Sequence, residues 1–261
     1  MAIAVCNLEV ARGALATIVM ESPEQVAVAP PQVRPKGCWE RATRALHTFL
    51  AQVPPGNRQM ILCHSDADGL AAGVILCRAL ERAGRSDVSA LATGKGQSPW
   101  SMETLEQVAA MHPAALYVVD LGSRPRPIFP GVPTLLIDHH RSLGVPPTAT
   151  LISSYRWRPN PCTAALTYWL AGTLADVADL DWVAAVGVIG DMGEHATIEP
   201  LPAARRRYGT RMLRSATSLV NAARRSASGD PSPALQALLE AREPAEIVHG
   251  HLPAARELAE M

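Results

Sequence analysis

Four separate stretches of the sequence place aspartates, two of them with histidines, at the end of an apolar run. HSDAD at 64–68 follows QMILC, Asp120 follows ALYVV, DHH at 138–140 follows TLLI, and Asp191 follows AAVGVIG. Carboxylate oxygens together with imidazole nitrogens suit Mn²⁺, Mg²⁺, Fe²⁺ or Zn²⁺. The four stretches hold more such groups than one ion needs. They therefore predict a centre with two metal ions.

Each stretch also has a purely structural explanation. Asp68 could cap a helix that starts at Gly69, Asp120 could be a turn residue, and Asp191 could belong to a helix C-terminus. A His-His pair is often a surface accident. Taken together, however, ionised groups at the ends of buried elements would repel one another and lose hydration unless a cation compensated them. The set as a whole therefore favours the metal centre.

The segments around these stretches alternate between strand-like and helix-like patterns. Apolar runs at 59–63, 87–93, 115–119 and 134–137 have the length of strands, and 69–83 and 101–111 fit helices between them. This alternation predicts an α/β fold with a mostly parallel, doubly wound sheet covered by helices. Ligand sites in such sheets lie beyond the carboxyl ends of the strands, where the candidate ligands fall.

The two ends of the chain have different patterns. Residues 22–36 contain four prolines and no helical period, so we interpret 1–36 as a flexible or appended segment. A helical pattern begins at Gly37. After the last candidate ligand the sequence predicts helices at 201–227 and 233–241, which we interpret as a helical C-terminal connector over 201–261.

Composition excludes several classes of function. The chain has 24 basic and 24 acidic residues, which leaves no molecule-wide field for duplex DNA or a membrane surface, and its 4% aromatic content provides few rings for base stacking. Its five cysteines form no C-x-x-C pair, which is typical of reduced thiols and predicts a cytoplasmic protein. No apolar stretch of about 18 residues is present to span a membrane, and we expect no membrane partner.

The four stretches, in this order, resemble the signature of the DHH phosphoesterase superfamily. The matching motifs are H-x-D-x-D-G at 64–69, the strand-terminal Asp120, D-H-H at 138–140 and G-V-I-G-D-M-G at 187–193. That superfamily includes RecJ-type exonucleases that act on single strands, oligoribonucleases, cyclic-dinucleotide phosphodiesterases and manganese pyrophosphatases. The resemblance spans residues 60–193 and implies a DHH catalytic domain, which we place at 37–200.

The resemblance also implies roles for individual residues. Two Mn²⁺ ions, or Mg²⁺ or another divalent metal, would be held by His64, Asp66, Asp68, Asp120, His139 and Asp191. His140 would face the scissile phosphate, and Asp138 would orient an imidazole from behind. The implied reaction is in-line attack on phosphorus by a hydroxide that the two metals activate.

Substrate contacts are expected from two further segments. Thr163 could cap a helix beside a phosphate. The segment LVNAARR at 219–225 resembles the L-N-A-A-G-R segment of RecJ-type members, which implies phosphate contacts by Asn221, Arg224 and Arg225. A solvated basic helix face that continues the arginines at 205–214 is the alternative.

These features predict a hydrolase that cleaves phosphodiester or phosphomonoester bonds in small nucleotides, oligonucleotides or single-stranded nucleic-acid ends. One alternative is a non-catalytic nucleic-acid-binding scaffold, as the replication factor Cdc45 is within this superfamily. An inorganic pyrophosphatase is disfavoured because D-A-D-G replaces that branch's N-P-D-x-D pattern. No glycine-rich G-G-G-H segment of the usual second domain is found, so we expect that lid to be naturally absent, supplied by a partner subunit or lost by truncation, with reduced activity without it. A homodimer is a further expectation.

Overall fold

Five short strands form one parallel sheet in the computed structural model, which describes residues 34–261. The strands are β1 (Gln59–Cys63), β2 (Val88–Ala92), β3 (Ala115–Val119), β4 (Thr134–Asp138) and β5 (Ala149–Ser153). Their order is β2-β1-β3-β4-β5, and every neighbouring pair is parallel. The predicted α/β, doubly wound fold is therefore confirmed. The prediction for residues 1–36 concerns a segment that lies, except for its last three residues, outside the described part of the chain.

Ten α-helices accompany this sheet within the described residues. They are α1 (Lys36–Ala51), α2 (Ala67–Arg82), α3 (Met102–Ala110), α4 (Thr163–Ala171), α5 (Asp181–Met192), α6 (Leu201–Tyr208), α7 (Thr210–Arg225), α8 (Ser232–Glu240), α9 (Pro244–Val248) and α10 (Pro253–Glu260). None of the helices in residues 34–261 is both long and apolar enough to cross a membrane.

Alternate residues of the central strands face two different hydrophobic layers. Ile61, Tyr117 and Leu135 belong to the larger core under the helices. Met60 and Leu116, one position earlier in β1 and one earlier in β3, belong to a smaller core that includes Val108 of α3. This period of two is the geometry of a strand covered on both faces, and it explains why β1, β3 and β4 are buried throughout and mostly apolar.

Helices α2, α4 and α5 approach one another at positions without side chains. A Cβ atom on Gly187 would lie 2.4 Å from the Cβ of Ala164, and one on Gly190 would lie 2.7 Å from the Cβ of Ala67. Both distances are shorter than van der Waals contact, so glycine is required at each position. This close approach brings the first turn of α2 and the last turns of α5 together, and Asp68 and Asp191 lie on those turns.

After residue 200, the structure divides one helix that the sequence predicted as continuous. A single helix over 201–227 was expected, but Gly209 interrupts it. The φ of Gly209 is 80°, which is not helical, so α6 ends before this residue and α7 begins after it. Leu213, Val220 and Leu238 of the C-terminal helices belong to the same core as the sheet. The helices after residue 200 therefore pack against the α/β unit along its length.

Candidate metal centre

The ends of three adjacent strands position the first candidate ligands. Cys63 of β1 pairs with Val119 of β3, so His64 and Asp120 leave neighbouring strands side by side. Asp120 itself has a φ of 63°, a left-handed conformation that aspartate tolerates better than most residues, and its N–H donates to the carbonyl of Ile137 in β4. The backbone thus turns at Asp120 while it stays attached to the sheet.

Asp120 lies between two groups of possible metal ligands. Its Oδ2 is 3.6 Å from Nδ1 of His64, which is itself 2.9 Å from Oδ2 of Asp66. Its Oδ1 is 3.5 Å from Nε2 of His139 and 3.7 Å from Nδ1 of His140. In each group one potential ligand atom per residue lies within 4.8 Å of the others. A carboxylate with its two oxygens turned to two groups has the geometry of a bridge between two cations.

His139 also connects Asp120 to the remaining acids. Its Nε2 lies 3.8 Å from Oδ2 of Asp68 and 3.9 Å from Oδ1 of Asp191. The structure therefore brings all six ligands predicted from the sequence to one place: His64, Asp66, Asp68, Asp120, His139 and Asp191.

The carboxylate of Asp68 is held by a different helix from its own. The helix α2 begins at Ala67, and its N-cap is Asp66, whose Oδ1 accepts the N–H of Gly69 at 3.0 Å. Asp68 instead accepts the N–H groups of Thr163 and Ala164, at 2.9 and 2.7 Å, at the start of α4. The alternative that Asp68 merely caps a helix starting at Gly69 is therefore wrong. The N-terminus of α4 fixes this carboxylate in the centre.

Burial of two neighbouring carboxylates makes the centre a place for positive charge. The side chains of Asp68 and Asp120 are 3% and 2% exposed. Burial and the neighbouring charge of Asp120 raise the pKa of Asp68 well above its usual value, and burial also raises the pKa of Asp120. Both charged forms are therefore disfavoured unless a cation compensates them. The donor set, oxygens and imidazole nitrogens, fits hard or borderline divalent metals.

His64 is the most strongly shifted imidazole in this region of the described chain. Burial alone would lower its pKa, but hydrogen bonds with Asp120 and Asp66 outweigh burial and raise the pKa to about 10. The same contact, against the effect of burial, lowers the pKa of Asp66 to about 2. The contact between His64 and Asp66 contributes to both shifts, because it favours the charged form of each partner. A divalent cation would satisfy the same carboxylates.

Asp138 fixes the ring of His140. Its Oδ1 accepts the backbone N–H of His140 and lies 3.0 Å from Nδ1 of the same residue, while its Oδ2 accepts the N–H of Gly122. The hydrogen bond with Asp138 raises the pKa of His140. Although burial opposes it, contact with the ring and backbone of His140 lowers the pKa of Asp138. Asp138 is buried and the side chain of His140 is 53% exposed, so the ring is anchored on one side and open on the other.

The four residues expected to contact substrate occupy different places. The hydroxyl of Thr163 donates to Oδ1 of Asp120 at 2.7 Å, and the residue is fully buried. Asn221 accepts the N–H of Ala67 at 3.1 Å, and Nη1 of Arg224 lies 3.1 Å from Oδ2 of Asp66. Arg225 is not brought to the centre, because its guanidinium donates to the carbonyl of Ser218 in its own helix. Three of the four therefore contact candidate ligands or their helix, and Arg225 does not.

Sequence reasoning missed Cys162 as a member of the centre. Its Sγ forms a third possible ligand group with Asp68 and Asp191. Burial, and then the charge of Asp68, raise the pKa of this thiol. The only signal in the sequence was its place directly before Thr163, because the residue that precedes α4 must lie beside whatever that helix caps.

No protein-family model matches the chain, and no curated protein matches it significantly. Solved structures do match. Exonuclease RecJ bound to manganese superposes with a TM-score of 0.62 at 21% identity, over 84% of this chain and 64% of that one. RecJ in complex with Mn²⁺ from Thermus thermophilus has a TM-score of 0.58 at 22% identity, over 91% of this chain and 38% of that one.

A third similar structure is the DHH domain of a member of an s1p family of ribosomal proteins. Its TM-score is 0.62 at 18% identity, over 86% of this chain and 62% of that one. The chain thus spans less than two thirds of the length of each of these three structures. At these identities the similarity concerns the fold.

Proposed function

The chain has the RecJ-like DHH fold that its motifs predicted, and from this premise we propose that it is a phosphoesterase that depends on two divalent metal ions. The proposed substrates carry phosphodiester or phosphomonoester bonds and are nucleotides, oligonucleotides or ends of single-stranded nucleic acid. Mn²⁺ is the proposed metal, and the RecJ structures that contain Mn²⁺ support a divalent ion of this kind.

The position of Asp120 carries this proposal. One buried carboxylate faces His64 with one oxygen and His139 with the other. A purely structural aspartate needs partners that donate hydrogen bonds, and Thr163 already provides one. The oxygens of Asp120 also face two groups of imidazoles and carboxylates. Burying so many carboxylates together costs free energy unless cations lie between them.

The chain's own residues then have separable tasks. His64, Asp66 and Asp120 would hold one ion, and Asp120, His139, Asp68 and Asp191 would hold the other. Two such ions, when bound, supply a nucleophile at neutral pH and neutralise charge on the phosphoryl group. The N–H groups at the N-terminus of α4 hold the carboxylate of Asp68 in place, and the hydroxyl of Thr163 holds that of Asp120. Asp138 orients His140, whose exposed side can donate a hydrogen bond to a phosphate oxygen.

Metal stoichiometry tests the proposal most directly. Purified protein equilibrated with Mn²⁺ should contain close to two ions per chain by elemental analysis, and Asp120→Asn should contain fewer than one, because it weakens both positions. Asp87→Asn, which changes an exposed carboxylate paired with Arg58, is the matched control and should keep both ions. A wild-type content near zero would contradict the two-metal centre.

A substrate screen in Mn²⁺ then tests the reaction. We expect hydrolysis of short oligonucleotides, a nucleoside bisphosphate or a cyclic dinucleotide, and loss of hydrolysis in Asp66→Ala and His139→Ala with retention of the fold. Hydrolysis of pyrophosphate alone, or binding of nucleic acid with no hydrolysis at all, would overturn the proposal in favour of a pyrophosphatase or a scaffold.

We also propose that residues 37–200 are the catalytic unit and 201–261 a helical connector. On this proposal the connector supports the centre, because Asn221 and Arg224 of α7 contact Ala67 and Asp66. A homodimer, a partner that supplies a lid and a cytoplasmic location stay predictions. Limited proteolysis tests the division: cleavage near residue 209 that leaves metal content unchanged would contradict a supporting role for α7.

A further inference from the structure

A cavity of about 530 Å³ opens beside the candidate metal centre, between α1 and the ends of β4 and β5. Its walls include three arginines, two serines and a tyrosine: Arg41, Arg141, Ser142, Ser153, Tyr155 and Arg156. The arginines come from three separate segments, which are α1, the loop after β4 and the loop after β5. A cavity of this size holds a group as large as a nucleotide.

The cavity lies at the same edge of the sheet as the metal centre. Ser153 ends β5 and pairs with Asp138, the last residue of β4. Neighbouring strands are about 5 Å apart, so the cavity begins one strand beyond the residue that holds His140. Arg141 follows His140 directly in the chain. A ligand whose phosphate reaches His140 can therefore extend into the cavity.

The charges around the cavity are unbalanced. Arg58, Arg82 and Arg224 each form an ion pair with an aspartate. By contrast, within residues 34–261 Arg41, Arg141 and Arg156 form no ion pair with a carboxylate, and the cavity has no acidic residue in its lining. The three arginines are exposed, so water screens their mutual repulsion, but cationic side chains that line one cavity without a carboxylate give it a positive potential that attracts anions. The cavity is therefore suited to an anionic group.

The kinds of side chain specify which anion fits. Planar guanidinium groups bind phosphate oxygens in pairs, and the serine hydroxyls can donate further hydrogen bonds. The ring of Tyr155 is 42% exposed at the rim, where a sugar or base attached to the phosphate can contact it. These groups match an organic phosphate better than a carboxylate or a simple halide.

We propose that this cavity is where a second phosphate group of the substrate binds in this chain, with Arg41, Arg141 and Arg156 as its cationic contacts. The inference rests on the proposed function in one respect, that the hydrolysed phosphate lies at the metal centre. Two sources have this chemistry: a free nucleotide with phosphates at two positions, and the neighbouring phosphate within an oligonucleotide.

Arg41→Gln and Arg156→Gln test the cavity, and Arg44→Gln is the matched control because Arg44 lies on the same helix, is exposed and does not line the cavity. Kinetics in Mn²⁺ compare adenosine 3′,5′-bisphosphate and a ten-nucleotide single strand with bis(p-nitrophenyl) phosphate, which has one phosphate. For the two ligands with several phosphates, each cavity variant should raise KM about tenfold, because one charge-assisted contact is lost. The kcat should stay within about twofold of the wild-type value.

The KM for bis(p-nitrophenyl) phosphate should stay within about twofold of wild type, and Arg44→Gln should change none of the values. An effect on the bisphosphate identifies a free nucleotide as the source, and an effect on the oligonucleotide alone identifies a chain. Unchanged KM values for both, or an equal rise for the substrate with one phosphate, would overturn the proposal.

Calorimetric binding of the same two ligands in metal-free buffer separates this inference from the proposed function. If no substrate is hydrolysed, the proposed function fails, and binding that weakens about tenfold in Arg41→Gln and Arg156→Gln but not in Arg44→Gln still supports the cavity. Binding that is the same in all four proteins would overturn the cavity even if hydrolysis is observed.

Discussion

At the scale of single residues, Asp138 shows how a buried carboxylate controls an exposed imidazole. Both of its oxygens accept hydrogen bonds, from the backbone and ring of His140 and from the N–H of Gly122. Either orientation of an asparagine amide would place an NH₂ group against one of these N–H donors. The charge and the acceptor pattern of Asp138 are thus both needed.

Asp138→Asn should lower kcat about 10- to 100-fold, the range for partners that orient the residues of a metal site. The Mn²⁺ content should stay close to that of the wild type, because Asp138 is outside the proposed ligand set. Kinetics and elemental analysis on the same sample measure both. An unchanged kcat, or loss of metal together with activity, would contradict a purely orienting role.

Arg224 and Arg225 are neighbours in the chain with different contacts. Arg224 reaches Asp66, whereas Arg225 turns back to its own helix. Arg224→Gln should raise KM for anionic substrates about three- to tenfold, because a charged donor at the centre is lost. Arg225→Gln is its matched control and should change KM by less than about twofold. Equal effects of the two substitutions would favour the solvated basic face.

The sequence indicated which candidate ligands lie together, because each is attached to the end of an apolar run. It could not predict the partners of those ligands, which depend on how distant helices pack. Asp66, not Asp68, caps α2, and Cys162 joins the ligands only because α4 points its N-terminus at Asp68. The contacts of Asp68 with α4 involve residues 95 and 96 positions apart, whereas the cap by Asp66 is local.

At the scale of elements, the contact between α5 and its neighbours depends on Gly187. Its missing side chain leaves room for Ala164 and Ala71, whose Cβ atoms would lie 2.4 and 3.1 Å from a new Cβ, and Oδ1 of Asp68 would lie 3.3 Å away. Helix propensity favours alanine over glycine by about 1 kcal/mol. The steric cost has the opposite sign and is larger, because Cβ atoms cannot rotate away.

Gly187→Ala should therefore lower the free energy of unfolding by about 1–3 kcal/mol and weaken Mn²⁺ binding. Gly56→Ala is the control, since nothing lies within 4 Å of the added Cβ, and its effect should stay within about 0.5 kcal/mol. Urea denaturation measures both. A stabilised Gly187→Ala would show that α5 can move without cost.

Strands buried on both faces could be predicted from the sequence. The edge strand β5 and the break between α6 and α7 could not. β1, β3 and β4 are each built around an unbroken run of apolar residues, and their predicted bounds agree with the structure to within one residue. The edge strand β5 was missed because its sequence, ATLIS, mixes polar and apolar residues and is only partly buried. The break at Gly209 was also missed, since the helical pattern continues on both sides of it.

At the scale of the whole molecule, electrical neutrality conceals a separation of charge. Acids converge on the ends of β1, β3 and β4, and three arginines that form no ion pair within residues 34–261 line the adjacent cavity. Composition could not reveal this arrangement, because Arg41 is a hundred positions before Arg141 and all three lie on different segments. The fold alone brings them together.

Metal binding should stabilise the whole fold because it relieves repulsion between buried carboxylates. At Mn²⁺ concentrations about 100 times Kd, each site contributes about 2.7 kcal/mol, or about 5 kcal/mol for two sites. The melting temperature should then rise by about 10–20 °C relative to protein in EDTA. Asp120→Asn should lose most of this rise, whereas Asp87→Asn should keep it. Calorimetry that shows no rise in the wild type would contradict the centre.

The contacts of α7 with the start of α2 form late during synthesis, because they join residues that are far apart in the chain. The contact of Ala67 with Asn221 can form only after 154 further residues have been synthesised. The contact of Asp66 with Arg224 needs 158 further residues. At about 5–20 residues per second, the ribosome needs about 8–30 s to make that interval. The HSDAD segment of a newly made chain therefore acquires its contacts with α7 long after it has itself been synthesised.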